Sequence, residues 1–304
     1  MKPEPKRNLP ASVRQRLLTL SERREEPFDL VLVRYGIERL LYRLSRSPHA
    51  GKFLLKGAML FAIWSDGTHR PTRDVDLLGF GPHDDETLKT IFTELCRLET
   101  EPDGLTFLPE SVAVAPIREE AAYPGTRVTL EARLESARIR VQVDIGFGDV
   151  VTPASEEVEF PALLDFPAPH LHAYPIYTVV AEKLEASVRL GEANTRMKDF
   201  FDLWFLSRRF PFEGDLLKDA ITRTFARRGM PLPTTVPVSL TPEFATLKAT
   251  TWAVFIRRNA LAALEMPATL DAIRAFTWPV MEAAANAVEF NEHWTPAKGW
   301  HQKS

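Results

Sequence analysis

The segment from residue 53 to residue 80, FLLKGAMLFAIWSDGTHRPTRDVDLLGF, constrains the fold more than any other part of the chain. It begins with an apolar run that ends at Lys56-Gly57, which is typical of a short buried strand closed by a glycine turn. Residues 58–65 are apolar without a breaker and predict a short helix. Asp74-Val75-Asp76 and the apolar residues after it predict a second strand. The segment therefore predicts two strands joined through a glycine turn and a helix.

The two aspartates of the second strand point to metal chemistry. Side chains alternate along a strand, so Asp74 and Asp76 share one face, with their Cα atoms about 7 Å apart, while Val75 faces the core. Two carboxylates this close repel each other, and a cation between them keeps both ionised. Mg²⁺ suits the pair because it takes oxygen ligands and shares them with phosphates. The alternative is that both are solvated residues on an edge strand.

The glycine turn suits a phosphate. Gly57 has no Cβ, so its backbone could lie against a phosphate group, with Lys56 as the counter-charge.

The motif Leu55-Lys56-Gly57, followed by Arg70-Pro71-Thr72-Arg73-Asp74-Val75-Asp76-Leu77, resembles the AbiEii/AbiGii (MenT-like) toxin family. That family has the nucleotidyltransferase fold of the DNA polymerase β superfamily. The resemblance implies that Asp74 and Asp76 are catalytic metal ligands. It also implies a nucleotide-binding set, namely Lys56, Gly57, Ala58 and Arg70. Ala58 departs from the family pattern, which has Gly or Ser there, so a phosphate contact at this position would fall to the backbone N–H.

A third acidic residue lies at the end of a later strand. Residues 126–134 and 138–145 alternate apolar and polar side chains and predict a hairpin across Glu135-Ser136-Ala137. Asp144 falls on the polar face of the second of these strands, just before Gly146. The resemblance implies that Asp144 is a third metal-binding carboxylate. The alternative is a surface aspartate at a strand exit.

A second informative block comprises Glu182-Lys183-Leu184 and RMKDFFDL, residues 196–203. Asp199 and Asp202 are three residues apart and share a helix face, with Arg196 on the same side. A generic interpretation is a helix pair laced by surface ion pairs, each of little worth. The order of these motifs resembles the C-terminal motifs of the same family. That resemblance implies nucleotide-phosphate binding by Lys183 and Arg196, with Asp199 as an essential acid that acts as a base or orients Lys183; Asp202 is the alternative acid.

The charge balance restricts how the chain could bind nucleic acid. Its net charge is −3, so it has no global basic footprint, and RNA binding needs a local basic patch. The candidates are Arg223, Arg227, Arg228, Arg257 and Arg258. Solvated helix faces are an equally good explanation of these arginines.

Other features exclude several protein classes. The single cysteine, Cys96, excludes an internal disulfide and a cysteine-based zinc site, and its apolar surroundings predict a core position. The N-terminal sequence MKPEPKRNLP lacks the apolar region of a secretion signal. No apolar run approaches the roughly 18 residues that span a bilayer. We therefore expect a cytoplasmic protein without a membrane partner.

Together these patterns predict an α/β (α+β) fold. Residues 1–165 would form the nucleotidyltransferase-like domain, a small mixed β-sheet flanked by helices, including two N-terminal ones. Residues 166–304 would form an all-helical C-terminal domain with a loose tail after Trp294. The proline-rich residues 153–175 would join the two. The active site is expected in the cleft between the domains, where ligand sites often lie.

The resemblance implies a function as the toxin of a toxin–antitoxin, abortive infection-type system. The toxin would be a Mg²⁺- or Mn²⁺-dependent nucleotidyltransferase that moves NMP from an NTP to an RNA, with the tRNA 3′ end as acceptor, or to a protein. Its implied partner is a winged-helix-type antitoxin or a phosphorylating antagonist. Three carboxylates around Mg²⁺ also suit a kinase or a nuclease, and a binding module that has lost catalysis is a further alternative. The sequence leaves the preferred base and the oligomeric state open.

Overall fold

The structure is a computed structural model that describes residues 8–65, 70–117 and 125–302. Residues 1–7 of the N-terminal sequence discussed above lie outside the described residues. The chain divides into two compact units. The first contains Met1–Gly148 and Glu156–Ala173, and the second contains Asp149–Ser155 and Tyr174–Ser304. The predicted boundary after residue 165 falls shortly before the end of the first unit.

The first unit is built on a mixed seven-stranded sheet, which confirms the predicted α/β fold class. Its strands in chain order are β1 (Phe53–Lys56), β2 (Asp74–Gly79), β3 (Thr106–Pro116), β4 (Gly125–Leu134), β5 (Ala137–Phe147), β6 (Glu156–Glu159) and β7 (His170–Ala173). Their order across the sheet is β3-β4-β5-β2-β1-β7-β6. The pairs β2·β5 and β1·β7 are parallel and the other pairs are antiparallel. The predicted glycine-turn strand and the predicted hairpin are therefore both present.

Helices α1 (Leu9–Arg24), α2 (Phe28–Arg46) and α4 (Asp85–Arg97) pack on one face of this sheet, and the short helix α3 (Phe61–Trp64) follows β1 in the chain. A Cβ added to Gly36 of α2 would lie 2.9 Å from Ile139, so the helix packs closely on the apolar face of β5. Cys96 of α4 is buried, as predicted, and burial raises the pKa of its thiol to about 12. The other face of β4 and β5 carries the polar residues.

The proline-rich segment contains two strands that the sequence did not predict. β7 pairs with β1 through Leu55 and Ala173, and β6 extends the sheet beyond it. Each strand has four residues and is bounded by prolines or loops, so no alternating pattern is long enough to identify it. The segment is thus partly sheet rather than only a connection.

The second unit is mainly helical, but the prediction that it is all-helical is wrong. Its elements are α5 (Ile176–Leu190), α6 (Met197–Arg209), β8 (Phe212–Glu213), α7 (Gly214–Arg227), α8 (Pro242–Arg258), α9 (Met266–Ala285), β9 (Glu292–Thr295) and β10 (Gly299–Gln302). The three strands form an antiparallel sheet in the order β10-β9-β8.

The C-terminal hairpin is held by its tryptophans, so the prediction of a loose tail is also wrong. The indole N–H of Trp294 donates to the Ser207 carbonyl, and that of Trp300 donates to the Phe276 carbonyl, each at 2.8 Å. The Trp300 ring also stacks on Phe276 with 6.0 Å between ring centroids. Aromatic burial of this kind stabilises strands that are too short to show a pattern.

In the part of the chain that the structure describes, no helix combines the length and the apolar character that crossing a membrane requires.

Candidate active site

Four charged side chains form a row across neighbouring strands of the first unit. In this row Arg127 of β4 lies beside Asp144 of β5, Asp144 lies beside Asp76 of β2, and Asp76 lies beside Lys56 of β1. Residues directly opposite each other project from the same face of a sheet. The structure therefore brings together Lys56, Asp76 and Asp144, which the sequence predicted for the site, and it adds Arg127.

Asp74 and Asp76 occupy a central strand. β2 lies between β5 and β1, so the edge-strand alternative is wrong. Val75 is 1% exposed, whereas both aspartates are half-buried, as the alternation predicted. The hydroxyl of Thr72 donates to Asp74 Oδ1 at 2.5 Å. Asp74 is therefore held by Thr72, and the carboxylates of Asp74 and Asp76 project from the same face of a central strand.

Gly57 makes room for the Asp76 carboxylate. Its φ is +73°, in the region that favours glycine. A Cβ at this position would overlap Asp76 Oδ2 and lie 2.7 Å from the carboxylate carbon. The glycine of the Leu-Lys-Gly motif is therefore required by its packing against Asp76. Ala58, which follows it, and Arg70 are both half-buried.

Asp144 is bound by Arg127. The guanidinium donates from Nε to Oδ1 at 2.8 Å and from a terminal nitrogen to Oδ2 at 2.7 Å. Asp144 is thus a strand-end residue with a partner rather than a solvated surface aspartate. Arg127 was not predicted from the sequence as a site residue. Its position on the polar face of the predicted hairpin was a signal that the sequence offers. The register that sets Arg127 opposite Asp144 could not be predicted from the sequence.

The donor set suits a hard divalent cation in part. Asp74, Asp76 and Asp144 supply only carboxylate oxygens, from one face of two adjacent strands. Over residues 8–65, 70–117 and 125–302, no group of three or more His, Cys, Asp or Glu side chains is gathered closely enough to hold a metal ion. The pair Asp74 and Asp76 therefore suits the ion by residue type, whereas Asp144 is held by Arg127.

Lys183 is the centre of a second cluster, which lies within the second unit. Its ammonium on α5 is 2.8 Å from Asp199 and 2.7 Å from Asp202, both on α6. Asp199 also accepts from Arg196 Nε at 2.6 Å. Asp199 and Asp202 are 2% and 0% exposed. The interpretation of this block as surface ion pairs is therefore wrong, because the carboxylates are buried.

The charge state of Asp199 follows from these contacts. Burial raises the pKa of its carboxyl group, but Lys183 and Arg196 oppose that effect, and the pKa is lowered overall. A buried carboxylate that stays ionised holds Lys183 in its charged form. The arrangement gives Lys183 two carboxylate partners, so Asp199 and Asp202 both orient it.

One predicted RNA-contacting arginine is unsuitable for that role. Arg228 is largely buried and binds Glu185 at 2.7 Å, Asp149 at 3.2 Å and Glu182 at 3.4 Å. The predicted patch of Arg223, Arg227 and Arg228 is therefore not a single exposed surface. The sequence spacing could not show this, because the acidic partners of Arg228 come from other segments. Arg257 and Arg258 are exposed near the end of α8.

Comparison with known proteins identifies one family. The family model described as "Nucleotidyl transferase AbiEii toxin, Type IV TA system" matches residues 39–284, which include both clusters. No curated protein matches the sequence.

Two solved structures from Helicobacter pylori are similar at 14% identity. One is JHP933, with a TM-score of 0.46, covering 82% of this chain and 89% of that one. The other, assigned as a nucleotidyltransferase, has a TM-score of 0.43 and covers 83% and 94% of the two chains. Similarity at this level supports no residue-by-residue correspondence.

Proposed function

The chain belongs to the AbiEii family of nucleotidyltransferase toxins, and on that basis we propose that it transfers NMP from an NTP to an RNA acceptor, the 3′ end of tRNA. Family membership makes it a nucleotidyl-transfer enzyme of a toxin–antitoxin system, with a nucleotide substrate and an antitoxin partner. The RNA acceptor, the metal ion and the roles of individual residues are the proposal.

The register of Asp76 beside Asp144 is the observation that carries the metal-binding part. With Asp74, these residues place three carboxylates on one face of the two strands. Mg²⁺ or Mn²⁺, when bound, would neutralise negative charge on the NTP phosphates. Asp74 and Asp76 would hold it, and Asp144 would join them after leaving Arg127.

The neighbouring positive and polar groups support nucleotide binding. Lys56 lies beside Asp76 in register, where its ammonium would face a phosphate held at the carboxylates. The backbone at Gly57 and Ala58 follows directly, and Arg70 precedes the Asp74–Asp76 strand. We propose that these four residues bind the nucleotide, as the family resemblance implies.

In the second cluster, Lys183 and Arg196 are proposed to bind nucleotide phosphates. Positive side chains stabilise the charge that phosphoryl transfer develops. The contacts of Asp199 support its role as the residue that orients Lys183. A carboxylate with a lowered pKa is a weak base, so proton abstraction by Asp199 is the less favoured of its two roles.

The identity of the antitoxin rests on the family resemblance alone. We propose a winged-helix-type antitoxin or a phosphorylating antagonist. Because NTPs and tRNA are cytoplasmic, we propose that the toxin acts in the cytoplasm.

Labelled nucleotides test this function. Purified protein is incubated with unfractionated tRNA, Mg²⁺ and each NTP in turn, labelled at the α- or the γ-phosphate. We expect α-label in the tRNA and no γ-label, and we expect Asp76→Ala to lose the signal. Transfer of γ-label would indicate a kinase, shortening of the tRNA without label would indicate a nuclease, and α-label in protein would identify a protein acceptor. Any of these outcomes would overturn the RNA proposal.

A further inference from the structure

Three arginines stand on the polar face of the β4–β5 hairpin, which we call the arginine track: Arg133, Arg138 and Arg140. All three are exposed. In the described residues, none of them forms a hydrogen bond or an ion pair with another side chain. Helix α2 packs on the opposite, apolar face, where Gly36 meets Ile139. The track is therefore a set of cations without an evident role in folding.

The register makes the arrangement unfavourable for stability. Arg133 and Arg138 are directly opposite each other on the two strands. Like charges in this position repel, and such a pair destabilises a sheet. Glu131 faces Arg140 in the same way, so one of the four charges is acidic and the local surface remains positive. An anionic ligand that contacts these arginines would offset the repulsion between them.

The track is in line with the candidate active site. Asp144, Gln142, Arg140 and Arg138 follow one another on the same face of β5. Each step of two residues is about 7 Å, so the carboxylate of Asp144 and the far arginine are separated by about 20 Å along the strand. Carboxylates that favour a metal stand at one end of this face, and cations that favour phosphates stand at the other.

We propose that the arginine track binds the sugar–phosphate backbone of the acceptor RNA and directs its end toward Asp76 and Asp144. This inference rests on the proposed function, because it assumes an RNA acceptor. The net charge of −3 provides no general attraction for RNA, so a local basic surface is required. Guanidinium groups bind phosphate through paired N–H donors, and backbone contacts of this kind position a nucleic acid without reading its bases.

The test compares two triple variants of the whole protein. In the track variant, Arg133, Arg138 and Arg140 are all changed to Thr, which favours strands and keeps the hairpin. The control variant removes the same charge from exposed residues of α2 and α4, by Arg46→Ala, Lys89→Ala and Arg97→Ala. Binding of fluorescently labelled unfractionated tRNA is measured by anisotropy over a range of NaCl concentrations. Unfolding midpoints are recorded for every variant.

We expect the track variant to bind tRNA about tenfold or more weakly at low salt. The magnitude of the slope of log affinity against log salt concentration should fall by about 2 to 3. This corresponds to roughly 0.7 to 0.9 for each phosphate that the variant no longer binds. Its unfolding midpoint should stay the same or rise, because the repulsion between Arg133 and Arg138 is removed. The control should match the wild type in both measurements. A single variant, Arg140→Glu, repeats the test with one substitution and should weaken binding in the same direction.

Wild-type affinity and slope in the track variant would overturn the proposal and would favour an acidic protein as the occupant of this face. Loss of tRNA binding in Arg257→Ala/Arg258→Ala alone would overturn it in favour of α8. A lower unfolding midpoint in the track variant, with normal binding by Arg140→Glu, would assign the arginines a structural role. Failure of the proposed function is distinguishable, because the wild-type protein would then transfer no α-label to tRNA.

Discussion

The guanidinium of Arg127 holds the carboxylate of Asp144 through two hydrogen bonds, at 2.8 and 2.7 Å. This fork-to-carboxylate geometry is the one that arginine favours. Asp144 also lies beside Asp76 in the sheet, where the proposed cation would bind. Arg127 and the proposed cation would therefore compete for the same carboxylate.

Removal of Arg127 should tighten the binding of divalent metal. Its side chain is 37% exposed, so the ion pair contributes at most about 1 kcal/mol. If removal of Arg127 made about 1 kcal/mol available to the metal ion, the affinity for that ion would rise about fivefold. We expect Arg127→Met to lower the Kd for Mn²⁺ by about that factor, measured by calorimetry on the nucleotide-free protein.

Two variants control this measurement. Arg133→Met removes a charge from the same face of β4 without breaking an ion pair, and it should leave the Kd for Mn²⁺ unchanged. Asp144→Asn should weaken Mn²⁺ binding, because it removes a proposed ligand. If Arg127→Met weakened Mn²⁺ binding, competition would be the wrong description of this pair.

Gly57 should not tolerate even alanine. The substitution combines a positive φ of +73° with an overlap between the new Cβ and the Asp76 carboxylate. We expect a loss of at least about 2 kcal/mol in the free energy of unfolding, about 1 kcal/mol of which is the backbone term. The loss should shrink in an Asp76→Gly background, where the overlapping atoms are absent. A double-mutant cycle by urea denaturation measures this coupling.

Gly81 provides the matched control for the backbone term. Its φ is +84°, and nothing lies within 4 Å of a Cβ built there. Gly81→Ala should therefore cost only about 1 kcal/mol. Equal losses at the two glycines would mean that the contact between Gly57 and Asp76 has no energetic importance.

The sequence predicted those parts of the fold whose signal is local. The alternation in residues 126–134 and 138–145 gave the hairpin, and Asp74-Val75-Asp76 gave the correct burial of its three side chains. The strands β6 to β10, which have two to four residues each, were not predicted. An alternation of apolar and polar side chains needs more residues than these strands have before it can be recognised. Their stability comes from distant partners such as the tryptophan rings.

The contacts of the candidate site were less predictable than its residues. Asp144 lies beside Asp76 through a parallel pairing of strands far apart in sequence, and no local pattern encodes that pairing. The same limit explains why the partners of Arg228 were missed. The sequence predicted that Asp199 could orient Lys183, but the pairing of Lys183 with Asp202 and the burial of both carboxylates depend on how α5 and α6 pack.

This burial changes what we expect of Lys183→Ala. A surface pair would contribute at most about 1 kcal/mol, whereas removal of one partner of a buried pair costs about 3–5 kcal/mol. The substitution leaves Asp202, which is 0% exposed, without its lysine. We expect a loss of several kcal/mol in the free energy of unfolding, measured by urea denaturation.

Arg274→Ala is the control for this loss, since it breaks an exposed i,i+3 pair with Asp271 in the same unit. It should cost less than about 1 kcal/mol. The rate of nucleotidyl transfer by Lys183→Ala must be expressed per folded molecule. A normal rate on that basis would remove Lys183 from the proposed nucleotide-binding set, whatever its effect on stability.

The pH dependence of stability should report the ionisation of Asp199. Burial raises the pKa of this group, but Lys183 and Arg196 lower it below its ordinary 3.8 overall. The folded state therefore binds fewer protons at this site than the unfolded state. Its contribution to stability is present above pH 3.8 and is lost as the pH falls through the lowered pKa.

The variant Asp199→Asn has no titratable group at this position and leaves Lys183 with one carboxylate fewer. We expect this variant to be less stable than the wild type at pH 7. The difference in the free energy of unfolding between the two proteins should narrow below about pH 4. Urea denaturation at pH values from 7 to 3 measures the gap, with Asp271→Asn, at an exposed ion pair, as the control whose gap stays small throughout. A gap between Asp199→Asn and the wild type that stayed constant down to pH 3 would show that the ion pairs do not depress the pKa of Asp199.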